Sequence, residues 1–152
     1  MKKVTIDPFH LIGISVKTTN ENNQAAKDIG ELWAKFMAEG VLEKIPNKMD
    51  ATVYSLYTDY EGDHTKPYTT MLGCKVQNLD QVPEGLVGKS FKGGQYVKTS
   101  AKGDLMDGLV INKWLNIWGM DLDRAYTADY EAYGEKAQNP NDAEVDFLIA
   151  IK

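Results

Sequence analysis

Cysteine and histidine are scarce in this 152-residue chain: Cys74 is the single thiol, and His10 and His64 are the only imidazoles. One cysteine excludes an intrachain disulfide and fits a reducing compartment, so a cytoplasmic location is expected. Two histidines and one cysteine at unrelated positions supply no metal-ligand spacing, and neither a metal nor another cofactor is expected. Positive charge is also short. The chain has 17 Lys and Arg against 22 Asp and Glu, a net charge of −5. Phosphate contacts need a basic face, so direct nucleic-acid binding is not expected. No apolar run approaches the roughly 18 residues of a membrane span. Asp7, Pro8 and His10 interrupt any signal-like apolar region after Met1-Lys2-Lys3. A phosphate-binding loop is missing too, because Lys92-Gly93-Gly94 lacks the Gly-Lys-Ser/Thr ending, and there is no G-x-S-x-G elbow.

What is present is an ordinary globular composition, 43% hydrophobic and 26% charged, of a length that suits one domain over residues 1–152. Residues 11–18 are β-branched and apolar, as in a strand. The polar cluster Thr19-Asn20-Glu21-Asn22-Asn23 offers helix-capping side chains. Ala25, Ala26, Ile29, Leu32, Trp33, Phe36 and Met37 then fall at steps of three and four, predicting an amphipathic helix that ends near Gly40. Strands are predicted over 51–60 and 68–79, with a turn between them. Residues 80–93 are rich in Gly, Pro and charge and read as a connector. The order then recurs: a strand at 94–100, a helix carrying Leu105, Leu109, Trp114, Leu115 and Trp118, and strands at 124–133 and 144–152. The halves, about 1–79 and 94–152, therefore share one β-α-β-β plan. Two such halves side by side bury a joint core and leave a cleft at their pseudo-twofold seam.

Six runs, VYSLYTDYEGD (53–63), YTTMLGCKV (68–76), VPEGLVGKSF (82–91), YVKTSAKGD (96–104), NKWL (112–115) and DYEAYGEK…NPNDAEVDFLIAIK (129–152), cover nearly the whole chain. In this order they resemble the GyrI-like effector-binding domain family, which also forms the ligand-binding half of some AraC-type and MerR-type bacterial regulators. The resemblance implies an α+β fold with an eight-stranded antiparallel sheet, two main helices and a ligand cleft between the halves. It also implies that the acidic residue of Asp129-Tyr130-Glu131-Ala132-Tyr133 reaches the pocket, which places Glu131 there. Ala150 departs from the proline that the family often carries in the final strand. No helix-turn-helix stretch corresponds to that of the regulators, so a free-standing domain is expected.

Strand alternation puts Thr127, Asp129, Glu131 and Tyr133 on one face. A carboxylate desolvated among aromatic rings is unfavourable unless paired or protonated, and an organic cation would supply the partner. Tyr133 shares the face of Glu131, while Tyr57 lies opposite in parity to Tyr54 and Tyr60. With Trp33, Trp114, Trp118, Tyr68 and Met71, these complete the candidate ligand-binding set. His64, in a turn, is expected at the surface, and Cys74 as core filler. The function expected is binding of hydrophobic, cationic small molecules. A hydrolase of electrophilic compounds with Glu131 as general base is the alternative. A gyrase-interacting protein partner is the third reading.

Overall fold

The computed structural model describes residues 1–152. Its elements are Lys2–Ile6 (β1), Phe9–Thr18 (β2), Gln24–Ala38 (α1), Val41–Lys44 (α2), Val53–Thr58 (β3), Tyr68–Val76 (β4), Val87–Phe91 (β5), Gly94–Gly103 (β6), Leu109–Trp118 (α3), Ala128–Tyr133 (β7) and Ala143–Ala150 (β8). The eight strands form one sheet in the order β1-β6-β8-β7-β3-β4-β2-β5, every pairing antiparallel. This is the α+β fold with two main helices, α1 and α3, that the resemblance implies. No helix is long and apolar enough to cross a membrane.

Six strands lie where the residue pattern predicts strands; β1 and β5 do not, and β5 falls inside the 80–93 stretch read as a connector. Both are edge strands of five residues with mostly exposed or half-buried side chains. Edges have one partner and less to bury, so their apolar signal is short: Val4 and Ile6 alone in β1, and Phe91 as the one buried residue of β5. With them included, the chain order β1-β2-α1-β3-β4 recurs as β5-β6-α3-β7-β8. The leading strands are exchanged. β1 pairs with β6 of the second unit, and β5 with β2 of the first.

The two units meet where β3 pairs with β7, with Ser55 opposite Glu131 and Tyr57 opposite Asp129. Both helices lie on one face. The apolar stripe of α1 buries Leu32 and Phe36 against Ile12, Ile14, Leu72 and Cys74. That of α3 buries Trp114 and Ile117 against Val145, Phe147 and Ile149. Leu115, grouped with the apolar face in the sequence, is 55% exposed; the inward position after Trp114 is Ile117. Cys74 is buried in the α1 core.

The other face closes without helices. Phe9 on β2 and Tyr130 on β7 are three strand steps apart, about 14 Å in a flat sheet. Their ring centroids nevertheless stand 5.7 Å apart, so the sheet curls over this face. Gly13 and Gly73 pair across β2 and β4, and a Cβ on Gly13 would lie 1.8 Å from the Leu72 carbonyl oxygen. Only glycine admits this approach. Met71 belongs to this curled-face core, with Leu11, Leu56 and Tyr130.

Candidate ligand site

A cavity of about 380 Å³ opens between α1 and α3 over the β3 end of the seam. Ala25, Ala26 and Ile29 form its α1 wall, and Val110, Ile111, Trp114 and Trp118 its α3 wall. Tyr57, Tyr60 and Tyr68 form the floor, with Asn20, His64 and Arg124 at the remaining edges. The rings interlock edge to face, Tyr57 against Trp114 at 5.5 Å and against Tyr68 at 5.9 Å. Such pairs add roughly 0.5–1.5 kcal/mol each beyond the area they bury, which favours a preformed wall.

The Asn-rich run before α1 serves this cavity rather than capping the helix. Asn22 and Asn23 take left-handed backbone conformations, with φ of 53° and 58°, and neither Asn20 nor Asn23 caps through its side chain. Asn20 instead donates to the His64 carbonyl at 2.8 Å and accepts from the Tyr68 hydroxyl at 2.6 Å. One amide thereby ties the 59–67 loop and the start of β4 to the foot of α1.

Glu131 lies behind the cavity wall, 1% exposed. Its carboxylate accepts from the Tyr57 hydroxyl, the Trp114 indole N–H and the Tyr133 hydroxyl, each at 2.5 Å. All three donors are neutral, and no cationic side chain pairs with it. Burial raises its pKa above the ordinary carboxylate value, and the three hydrogen bonds oppose that rise. Burial followed by the Glu131 charge pushes the Tyr57 and Tyr133 hydroxyls well up, and Tyr68 to about 12, so all three stay protonated.

Two residues earlier on β7, Asp129 is fully buried and oppositely provided for. Arg124 Nη2 donates to it at 2.7 Å, the Tyr60 hydroxyl at 2.6 Å and the Ala150 amide at 2.7 Å. Arg124 is itself 7% exposed, and its Nε and Nη1 have no hydrogen-bond partner. His64 stacks flat on Trp118 at 4.9 Å, with its buried Nδ1 also unpartnered. Burial and then the Arg124 charge lower the pKa of His64, which holds the imidazole neutral.

Of the eight candidate ligand residues, Tyr57, Tyr68, Trp114 and Trp118 line the cavity. Glu131 and Tyr133 stand in the layer behind it, and Trp33 packs edge-on against Tyr133 at 5.1 Å. Met71 points to the opposite face of the sheet, because it alternates with Leu72 of the helix-side core. Tyr60, His64 and Arg124 line the cavity without having been expected there. Tyr60 returns to the side of Tyr57 because β3 ends at Thr58 and Asp59 has a φ of 52°, which breaks the alternation. His64 is drawn in from its turn by Trp118 and Asn20. No three His, Cys, Asp or Glu side chains gather as a metal site would require.

Comparison with known proteins agrees with this architecture. The integron cassette protein VCH_CASS2 from the mobile metagenome of Vibrio cholerae is 31% identical, superposes with a TM-score of 0.75 and aligns over 99% of this chain and 95% of its own. SAV2435, solved bound to tetraphenylphosphonium, shares the fold with a TM-score of 0.76 at 14% identity, over 99% of this chain and 93% of its own. The protein YobU of Bacillus subtilis (strain 168), provisionally named as a transcriptional regulator, is 24% identical over 97% of this chain and 94% of its own. The family model described as "Cass2: Integron-associated effector binding protein" matches residues 4–151, and the chain belongs to that family of small-molecule effector-binding proteins.

Proposed function

We propose that the protein reversibly binds a lipophilic organic cation in the cavity between α1 and α3, with Glu131 as the buried counter-charge. The observation that carries this reading is the provision around Glu131: three neutral donors, no cation, and two of those donors, Tyr57 and Trp114, forming the cavity wall. With Glu131 and Asp129 ionised against one Arg124, the site carries a formal charge of −1 (two carboxylates, one guanidinium). A cation in the cavity neutralises it. The Tyr57 hydroxyl and Trp114 N–H are held by Glu131, which leaves ring surfaces toward the ligand. Cation–π attraction on such rings contributes about 0.5–2 kcal/mol. Ring surfaces with few directional demands accept a range of shapes, consistent with tetraphenylphosphonium being bound by a protein of the same fold.

General-base catalysis is less well supported. A base needs an oxygen within hydrogen-bond reach of a substrate proton. Both Glu131 oxygens already accept hydrogen bonds, and the aromatic layer stands between them and the cavity.

Trp114 and Trp118 make the cavity directly observable. Titration with tetraphenylphosphonium is expected to quench tryptophan fluorescence saturably in the micromolar range, and triphenylmethane, a neutral control, to bind far less. Glu131→Gln should weaken the cation about tenfold, equivalent to about 1.4 kcal/mol. Absence of saturable binding by the cation, or equal binding of the neutral control, would refute the proposal.

A further inference from the structure

We infer that the effector is a lipophilic cation that also carries a neutral hydrogen-bond-accepting oxygen, such as a carbonyl, which sits against Arg124 and His64 while its aromatic body lies on the wall that Trp114 and Tyr57 form. The inference rests on the reading of the cavity as a cation site and adds a second, polar requirement to it.

Two independent unmet demands converge at one edge of the cavity. Arg124 is fixed by a single bond, Nη2 to Asp129, and the remaining nitrogens, Nε and Nη1, are buried without partners. Tyr126 covers the guanidinium, with Cζ 4.3 Å from the ring centroid, so its position does not depend on a ligand. His64 presents an equally unpartnered Nδ1 from a ring clamped on Trp118, and its neutral Nδ1–H tautomer would donate to the same oxygen. Both residues line the cavity. Buried donors are nearly always satisfied, and a ligand oxygen drawn to this edge of the cavity would satisfy these. Guanidinium nitrogens only donate, so the missing group at Arg124 is an acceptor.

Charge decides which acceptor. Asp129 already balances Arg124 at 2.7 Å, so the guanidinium requires no second anion. A carboxylate brought there would approach Asp129 and add to the negative charge that Glu131 leaves uncompensated. A neutral oxygen supplies the lone pairs without that repulsion. The cavity thus has two poles: the Glu131 side selects for positive charge, and the Arg124–His64 edge selects for an oxygen at the other end of the same molecule.

The test uses two phosphonium probes that differ in one substituent, (4-acetylphenyl)triphenylphosphonium and (4-ethylphenyl)triphenylphosphonium, titrated by tryptophan fluorescence into the intact protein. The acetyl probe is expected to bind about tenfold tighter, the effect of one hydrogen bond to a charged donor at about 1.4 kcal/mol. Arg124→Lys keeps the positive charge beside Asp129 but loses the planar donor set, and should bring the ratio of the two affinities toward one. His64→Phe keeps the stack on Trp118 and loses Nδ1; it tests the same ratio at a site outside the buried ion pair. A fall of the ratio in either variant supports the assignment. Glu131→Gln should weaken both probes and leave the ratio unchanged, which separates the two poles. Equal affinities of the probes for the unaltered protein, or a ratio unmoved in both variants, would overturn the acceptor edge and leave the cation site standing. Binding of neither probe would remove both.

Discussion

Asp129 and Glu131 sit two residues apart on one strand, point to the same face and are equally hidden from water, yet their surroundings differ in kind. Asp129 has a guanidinium, a hydroxyl and a backbone amide. Glu131 has two phenols and an indole. A buried carboxylate with a cation is an internal fastener: it joins β7 to the end of β8 and to the segment that leads into β7. A buried carboxylate with only neutral donors is held in place while its charge stays uncompensated. The pair separates the part of the seam that holds the halves together from the part that an incoming molecule can complete.

The largest effect is expected from breaking the compensated member. Asp129→Ala strands Arg124 in the interior without its counter-charge and should lower the unfolding free energy by about 3–5 kcal/mol, read as a fall in the urea midpoint. A change below 1 kcal/mol would mean that the pair is solvated in solution.

Glu131→Gln should distinguish the second carboxylate by pH. Burial raises the folded-state pKa of Glu131 above its unfolded value, so the folded protein holds this proton more tightly. The resulting stabilisation is fully present below about pH 4.3, the unfolded Glu value, and is lost as pH rises through the folded value. Urea midpoints measured in steps from pH 4 to pH 8 should therefore show the unaltered protein losing ground to Glu131→Gln as pH rises. The opposite slope would place a cation beside Glu131. Tetraphenylphosphonium affinity should run the other way, increasing with pH as Glu131 ionises and staying flat in the variant.

The smallest effect is expected at Tyr60, which donates to Asp129 from the cavity floor. Tyr60→Phe removes one of three hydrogen bonds on a carboxylate that keeps its guanidinium. It should cost about 1–2 kcal/mol of stability and leave the pH dependence of cation binding unchanged. If that dependence shifts, the two carboxylates act as one unit.

Most of the scaffold around this contrast was legible in the residues. The stripe of α1 and the paired stretches at 53–58 and 68–76 follow from apolar periodicity, and the seam follows from the repeat. Glu131 was singled out by its motif, and the alternation of β7 turns its side chain into the layer behind the cavity wall. The opposite edge of the cavity was not legible, for reasons specific to each residue. Tyr60 depends on the left-handed Asp59, an event that strand alternation does not foresee. His64 sits among turn residues, and its burial depends on a tryptophan 54 positions away (118 minus 64) stacking on it. Arg124 reads as the first residue of a strand, whereas it makes only an isolated bridge to Ile151 before the chain turns through Tyr126, with a φ of 54°. Met71 shows the converse error: the right strand with the wrong parity.

The exchange of leading strands has a consequence for how the chain comes into being. β1 leaves the ribosome well before the only strand it pairs with, β6, which begins at Gly94. At synthesis rates of about 5–20 residues per second, it waits roughly 4–18 s for that partner. Over the same interval β2 lacks its outer neighbour until Val87–Phe91 emerges. Neither unit is therefore complete during synthesis, and each fragment carries the edge that the other requires. A chain cut between β4 and β5 would be expected to reassemble from its two pieces. The cavity, whose walls come from both, would exist only after that union.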